Sequence, residues 1–295
     1  MKVVVFGGSG FIGSHVADEL TKQGHEVRIF DLKESKYLKK EQKMIKGDVL
    51  DVNDVAKAVE GCDVVYSFAG LADLDAASRQ PVKSVELNIL GTVNILEACI
   101  KAKVKRFVYA STIYVYSKLG SFYRCSKQAT ESYIEEYHRK YGLDFTILRY
   151  GTVYGPRADE SNSIYRYIKQ ALSEKKITCP GTGEEIREYI YVKDVAKLSI
   201  DVLADEYKNT HVTITGQHPT RYRDMILTIK EMLGGDIDVE FNPPEENSAH
   251  YTRTPYSFTP KLGKKLVSNY YVDLGQGLLE CAEDVKRSLD EGKDA

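Results

Sequence analysis

The chain of 295 residues predicts an α/β fold built on a doubly wound parallel sheet. Three observations carry this. Short β-branched runs alternate with segments of helical period through the first half, the strand-like runs are apolar on both faces, and a glycine-rich turn, GGSGFIG at 7–13, joins the first run to the first helix. Parallel neighbours require crossover helices, so the alternation reads as a parallel sheet rather than a set of hairpins.

Residues 3–6 (VVVF) open as a buried strand, and the helix that follows, near 12–23, is closed by Gly24. EVRIF at 26–30, MIKG at 44–47 and DVVYSFAG at 63–70 continue the strands, with a helix near 53–60 before the last. A long helical pattern at 83–102, carried by Val85, Ile89, Val93, Leu96 and Ile100, precedes the strand RFVYAS at 106–111, a helix near 123–141 and the strand DFTILRY at 144–150. Past YGPR at 154–157 the alternation becomes irregular, and Pro180, Pro219, Pro243 and Pro244 punctuate shorter elements. A first domain is expected over 1–156 and a smaller C-terminal α/β lobe over 157–295, some of whose segments return to the first. A tail helix is expected near 276–291.

The formal charge of −2 leaves no electrostatic footprint for nucleic acid or an anionic membrane. Cys62, Cys99, Cys125, Cys179 and Cys281 are odd in number, scattered and without a C-x-x-C pair, which suggests neither a disulfide framework nor a zinc site. No metal is expected. The apolar run after Met1-Lys2 is too short for a signal segment, and no run is long enough to cross a bilayer, so the expectation is a soluble, cytoplasmic protein.

The opening turn satisfies G-x-G-x-x-G through Gly8, Gly10 and Gly13, and G-x-x-G-x-x-G through Gly7, Gly10 and Gly13. A strand precedes it and a helix follows. The N–H groups that open that helix, at Phe11, Ile12 and Gly13, suit a pyrophosphate, as in a Rossmann-type dinucleotide site. Asp31 ends the next strand, 18 residues after Gly13, where a carboxylate accepts ribose hydroxyls and repels a 2′-phosphate. The cofactor expected is therefore NAD, with Lys33 nearby arguing the other way. The alternative is a tight turn with an incidental aspartate.

Chemistry needs its own constellation. Tyr123 and Lys127 are four apart on a helix, so an ammonium can stand near a phenol and lower its pKa, making Tyr123 a general base. Tyr114/Lys118, Tyr165/Lys169 and Tyr189/Lys193 share the spacing. Position selects Tyr123, because it opens the helix after the strand that ends in Ser111-Thr112, and ligands bind beyond the carboxyl ends of parallel strands.

With these blocks the sequence resembles the extended short-chain dehydrogenase/reductase family, in its nucleotide-sugar epimerase and dehydratase branch. The resemblance rests on GGSGFIG, Asp31, GDV at 47–49, NILGTVNILEAC at 88–99, ASTIYVYS at 110–117, Tyr123 and Lys127, RYGTVYGPR at 149–157 and REYIYVKDVA at 187–196. It implies that Asp48 bonds the adenine, that Val49 and Ala69 line the cofactor site, and that Lys127 holds the nicotinamide ribose. It further implies that Thr112 is the catalytic hydroxyl, that Asn88 sits behind the active site, and that Arg187 contacts a substrate diphosphate, with Arg253 a second candidate. For Arg187 the plainer reading is an ion pair with Glu184, Glu185 or Asp194.

The chain also departs from the branch's pattern. Dehydratases carry Asp-Glu directly after the catalytic Thr, where this chain has Ile113 and Tyr114. The connection from Ser117 to Phe122 is short, and Ser117 replaces the usual Gly. Thr152 stands where many epimerases have an Asn that contacts substrate, and Asn162 is the expected substitute. The stretch TRTPYSFTP is read as a pocket wall or loop packing.

The resemblance implies an NAD-dependent epimerase inverting C4 of a UDP-hexose through a transient ketose. The alternatives are a nucleotide-sugar 4-ketoreductase or dehydrogenase, and a non-catalytic NAD-sensing protein of the same fold. It also implies a homodimer through the helices near 83–102 and 123–141.

Overall fold

A computed structural model of the chain describes residues 1–242 and 251–256. The expected tail helix, Pro243, Pro244 and Cys281 lie outside the described residues. β1 (Lys2–Phe6) is buried on both faces: Val3 and Val5 join one apolar cluster, Val4 and Phe6 the other. That two-sided burial is why the run lacks polar alternation. β2 (Glu26–Asp31), β3 (Gln42–Lys46), β4 (Val64–Ser67), β5 (Arg106–Thr112) and β6 (Phe145–Tyr150) follow.

With β10 (Thr210–Ile214) these strands form a seven-stranded sheet in the order β3-β2-β1-β4-β5-β6-β10, every pair parallel. The strand order turns back between β1 and β4, which opens a crevice beyond their carboxyl ends.

α1 (Phe11–Lys22) packs on one side of the sheet with α8 (Val192–Asp201). On the other side are α2 (Val52–Val59), α5 (Gly91–Ala102) and α6 (Ser121–Tyr141). The two short helices α3 (Leu74–Arg79) and α4 (Pro81–Ser84) lead into α5.

The helix expected over 83–102 is not regular. Val85–Leu90 is a π-helical segment between α4 and α5. The Asn88 side chain in it accepts from Leu71 N (2.6 Å) and donates to Leu71 O (3.1 Å) and Ser126 Oγ (2.8 Å), while the main-chain carbonyl of Asn88 accepts from the hydroxyls of Thr92 and Thr130. Asn88 thus ties the loop after β4 to α6, and the widened turn accommodates it.

Residues beyond 157 contribute to more than one sheet. β10 and α8 rejoin the large sheet, whereas β7 (Thr152–Tyr154), β9 (Ile186–Tyr191) and β11 (Pro219–Arg221) form a three-stranded sheet. β8 (Lys176–Pro180) pairs with β12 (Asp238–Asn242). α7 (Ser163–Glu174) and α9 (Tyr222–Met232) pack over a third apolar cluster through Ile164, Tyr167 and Ile226. No helix among the described residues is long and apolar enough to cross a membrane.

Candidate active site

Gly7 leaves β1 in the left-handed region, φ +73°, where a side chain is strained. A Cβ there would stand 2.7 Å from the backbone nitrogen of Ala69, and one on Gly13 would stand 2.3 Å from the Gly7 carbonyl oxygen. These two glycines let the helix start close against the crevice. Gly10 differs: a Cβ on it would meet only the Gly7 oxygen, at 3.2 Å. Gly10 caps α1 with no side chain, and the first turn carries no acidic residue, so the helix N-terminus at Phe11, Ile12 and Gly13 is fitted to an anion.

Asp31, at the end of β2, accepts from Ser9 N on one carboxylate oxygen and from Lys33 N on the other, both at 3.1 Å. Each oxygen keeps a further lone pair for a ribose hydroxyl. Asp48 accepts from Leu50 N (2.9 Å), and the Val49 carbonyl accepts from Asn94 Nδ2 (3.0 Å). Gly91 packs on Val49, with room for no Cβ: one would lie 2.8 Å from Val49 Cγ2. The expected cofactor residues thus stand along the carboxyl ends of β1 to β4. They fit a dinucleotide.

Thr112 closes β5 and Tyr123 lies in the first turn of α6. The Thr112 hydroxyl lies near enough to the Tyr123 phenol to act on its titration, and both residues are buried. The short connection therefore does not displace the tyrosine. Gly120, at φ +103°, makes the shortcut possible, since a Cβ there would strike the Tyr114 ring at 2.8 Å. One turn on, Lys127 Nζ donates to the Ala110 carbonyl (2.7 Å) and stands 4.6 Å from the centroid of the Tyr109 ring and 5.8 Å from that of Tyr123.

The lowered phenol pKa expected from the lysine is corrected here. Burial pushes Tyr123 up to about 12, opposed by the Thr112 hydroxyl, and burial pulls Lys127 down to about 8, opposed by Glu131. At 5.8 Å from ammonium to ring centroid, desolvation outweighs the pairing.

Arg187 is not in a surface ion pair. Glu184 faces Arg221 and Arg223, and Glu185 accepts from the backbone of Thr182 and Gly183. The Arg187 guanidinium lies 4.9 Å from the centroid of the Tyr251 ring, and its charge acts on the phenols of Tyr251 and Tyr114. No ion pair joins it to a carboxylate among the described residues. Tyr114 also packs against Tyr251 (4.7 Å) and edge-on to Tyr123 (6.4 Å), so an aromatic wall connects the phenol to this cation.

Thr152 reaches the same wall through Tyr251 Oη, at 3.4 Å. Arg253 is brought next to Arg187 by a backbone bridge to Ile186, with its side chain exposed. Asn162 is a correction. Its Oδ1 accepts from Ile164 N and Tyr165 N, and its Nδ2 donates to Val153 O, so the amide caps α7 instead of facing a sugar. Tyr251 was not anticipated; only its place beside TRTPYSFTP hinted at a wall.

A model of the NAD dependent epimerase/dehydratase family matches residues 3–215. The chain belongs to this family. Among similar proteins, a UDP-N-acetyl-alpha-D-glucosaminuronate decarboxylase of Bacillus cytotoxicus is 29% identical over 84% of the chain and 85% of its own length. The UDP-glucose 4-epimerase of Thermotoga maritima, solved with UDP-glucose, is 27% identical and superposes with a TM-score of 0.81 over 88% of this chain and 90% of that one. The Thermus thermophilus UDP-glucose 4-epimerase, solved with NAD, is 28% identical with a TM-score of 0.79 over 90% and 95%. This member of the epimerase/dehydratase family is an NAD-dependent enzyme of the extended short-chain dehydrogenase/reductase type.

Proposed function

We propose that the protein is a nucleotide-sugar epimerase that inverts C4 of a UDP-hexose through a transient 4-keto sugar. The observation that carries this is the neighbouring Tyr123 and Thr112, with Lys127 one turn on and 5.8 Å from the Tyr123 ring centroid, all three buried at the carboxyl end of β5. NAD, when bound, supplies the hydride acceptor and donor.

Tyr123 removes the proton from the C4 hydroxyl while Thr112 holds that hydroxyl in line. The Thr112 hydroxyl and the Lys127 ammonium both favour the phenolate against burial. Lys127 would also hold the nicotinamide ribose when NAD is bound. Arg187, a half-buried guanidinium set against the Tyr251 ring, grips the diphosphate as a fork and keeps the nucleotide bound while the ketose turns over. Tyr123 would then return the proton to the C4 oxygen, with bound reduced NAD the group that would supply the hydride to the other face.

Ile113 and Tyr114 stand where a dehydratase needs an acid and a base, and the buried Ile113 supplies neither, which disfavours loss of water. The described cysteines Cys62, Cys99, Cys125 and Cys179 are free, in keeping with action in the cytoplasm. We also propose a homodimer through Val82, Val85 and Leu90 before α5 and Phe122 and Tyr133 on α6, which expose apolar surface.

The deciding experiment incubates the enzyme with UDP-glucose or UDP-galactose. Interconversion without net change in absorbance at about 340 nm, the reduced nicotinamide band, supports the epimerase. Steady accumulation of NADH supports a dehydrogenase instead, and consumption of reduced cofactor with a 4-keto sugar supports a ketoreductase.

A further inference from the structure

α6 carries Tyr123, Lys127 and Glu131 at intervals of four, and so on one face. The third of these is bound up in a buried network below the reacting groups. Arg149 of β6 grips Glu131 at two points, Nε to Oε1 at 3.1 Å and Nη2 to Oε2 at 2.6 Å. Ser111 Oγ adds a donor to Oε1 at 2.5 Å. Arg149 Nη1 in turn donates to the Tyr116 hydroxyl at 2.6 Å, and the two side chains of the ion pair are only 8% and 6% exposed.

A buried ion pair is weak support for stability, since its desolvation offsets its attraction. Its position supplies another role. Lys127 is buried, and no ion pair joins it to a carboxylate among the described residues. We propose that Glu131, held in place by Arg149, is a positioning residue that keeps Lys127 charged and aimed at the carboxyl end of β5. This rests on the reading that Lys127 serves the redox step.

Burial draws the ammonium toward its neutral form, and Glu131 is the group that opposes it. The other groups facing this region are Tyr109, Ser111 and Thr112 from β5, Tyr123 from α6 itself, Tyr116 from the turn after β5, Arg149 from β6 and His211 from β10. His211 stands 4.0 Å from Glu131 and 3.0 Å from Glu135, and its pKa is lowered, chiefly by burial, so it is neutral in the alkaline range where Lys127 titrates. Arg149 fixes the carboxylate and offsets part of its field. Loss of either partner therefore acts on Lys127 with opposite sign.

The experiment is the pH profile of the single-turnover reduction of enzyme-bound NAD by the nucleotide-sugar, over roughly pH 6 to 10. Glu131→Gln moves the upper limb to lower pH by about one unit, as loss of a nearby opposite charge does. Arg149→Gln moves it to higher pH, and Glu131→Asp restores most of the wild-type limb. NAD affinity and melting temperature at neutral pH separate these effects from unfolding.

If Glu131→Gln alone does not fold, Glu131→Gln/Arg149→Met removes the unpaired buried cation and still moves the limb down. Shifts of the same sign in the Glu131→Gln and Arg149→Gln variants, or folded variants with an unmoved limb, overturn the proposal. Lys127→Met separates the two levels. An unaffected rate removes the catalytic reading itself, whereas a lost rate with a limb indifferent to Glu131 removes only the role given to Glu131.

Discussion

The Lys127 ammonium donates to the Ala110 carbonyl oxygen 2.7 Å away, and this bond pins the helix of the base to the strand of Thr112. Tyr123 sits one turn before that anchor. Tyr123→Phe is expected to lower turnover by about 10²- to 10⁴-fold, the usual contribution of a positioned acid–base group. Titration with NAD should be unchanged. Turnover that survives the substitution removes Tyr123 from the mechanism.

Burial sets a sign for stability at Lys127, whose folded pKa, about 8, lies below its ordinary value of 10.5. The unfolded chain therefore binds this proton more readily, and the cost of burying the charge is present at neutral pH and fades as pH rises through that window. Lys127→Met should raise the melting temperature at neutral pH, with the gain shrinking toward the alkaline end. A gain that does not change with pH contradicts the assignment.

Two glycines of the cofactor turn should behave differently. Gly13→Ala places a methyl 2.3 Å from the Gly7 oxygen and should cost about 1–3 kcal/mol of stability as well as NAD affinity. Gly10→Ala meets that oxygen only at 3.2 Å, so it should melt near wild type yet bind NAD weakly. Paired melting curves and NAD titrations check both.

Replacing the half-buried Arg187 by Met should raise KM for the nucleotide-sugar about 10- to 100-fold, matching charged hydrogen bonds of roughly 1.5–3 kcal/mol, with a smaller effect on kcat. Arg253→Ala, at an exposed position, should do less. Steady-state kinetics distinguish the two, and equal KM values for wild type and the Arg187 variant remove the diphosphate role.

Asn162→Ala should reduce stability by about 1 kcal/mol through loss of a helix cap, without altering KM. A raised KM at unchanged stability would return Asn162 to the substrate site.

The sheet was legible because its strands are apolar on both faces and its crossovers have helical period; β1 and β6 lie close to where VVVF and DFTILRY put them. The glycine turn, Asp31 and the Tyr123/Lys127 spacing were legible because each is local in sequence. What was not legible depends on distant packing. Tyr251 reaches Tyr114 across 137 positions of chain, the burial that shifts Tyr123 is contributed by several elements, and the π segment exists to seat Asn88 between a loop and α6. Asn162 could have been read correctly, since Asn-Ser ahead of the apolar-periodic IYRYIKQAL is a helix-start signal.

The double grip of Asp31 on Ser9 and Lys33 also bears on coenzyme engineering. Exchanging this carboxylate for a small neutral residue, to admit the phosphorylated dinucleotide, would at the same stroke untie the glycine turn from the segment after β2. A redesign toward that coenzyme must supply a replacement tether for both amides along with the new specificity.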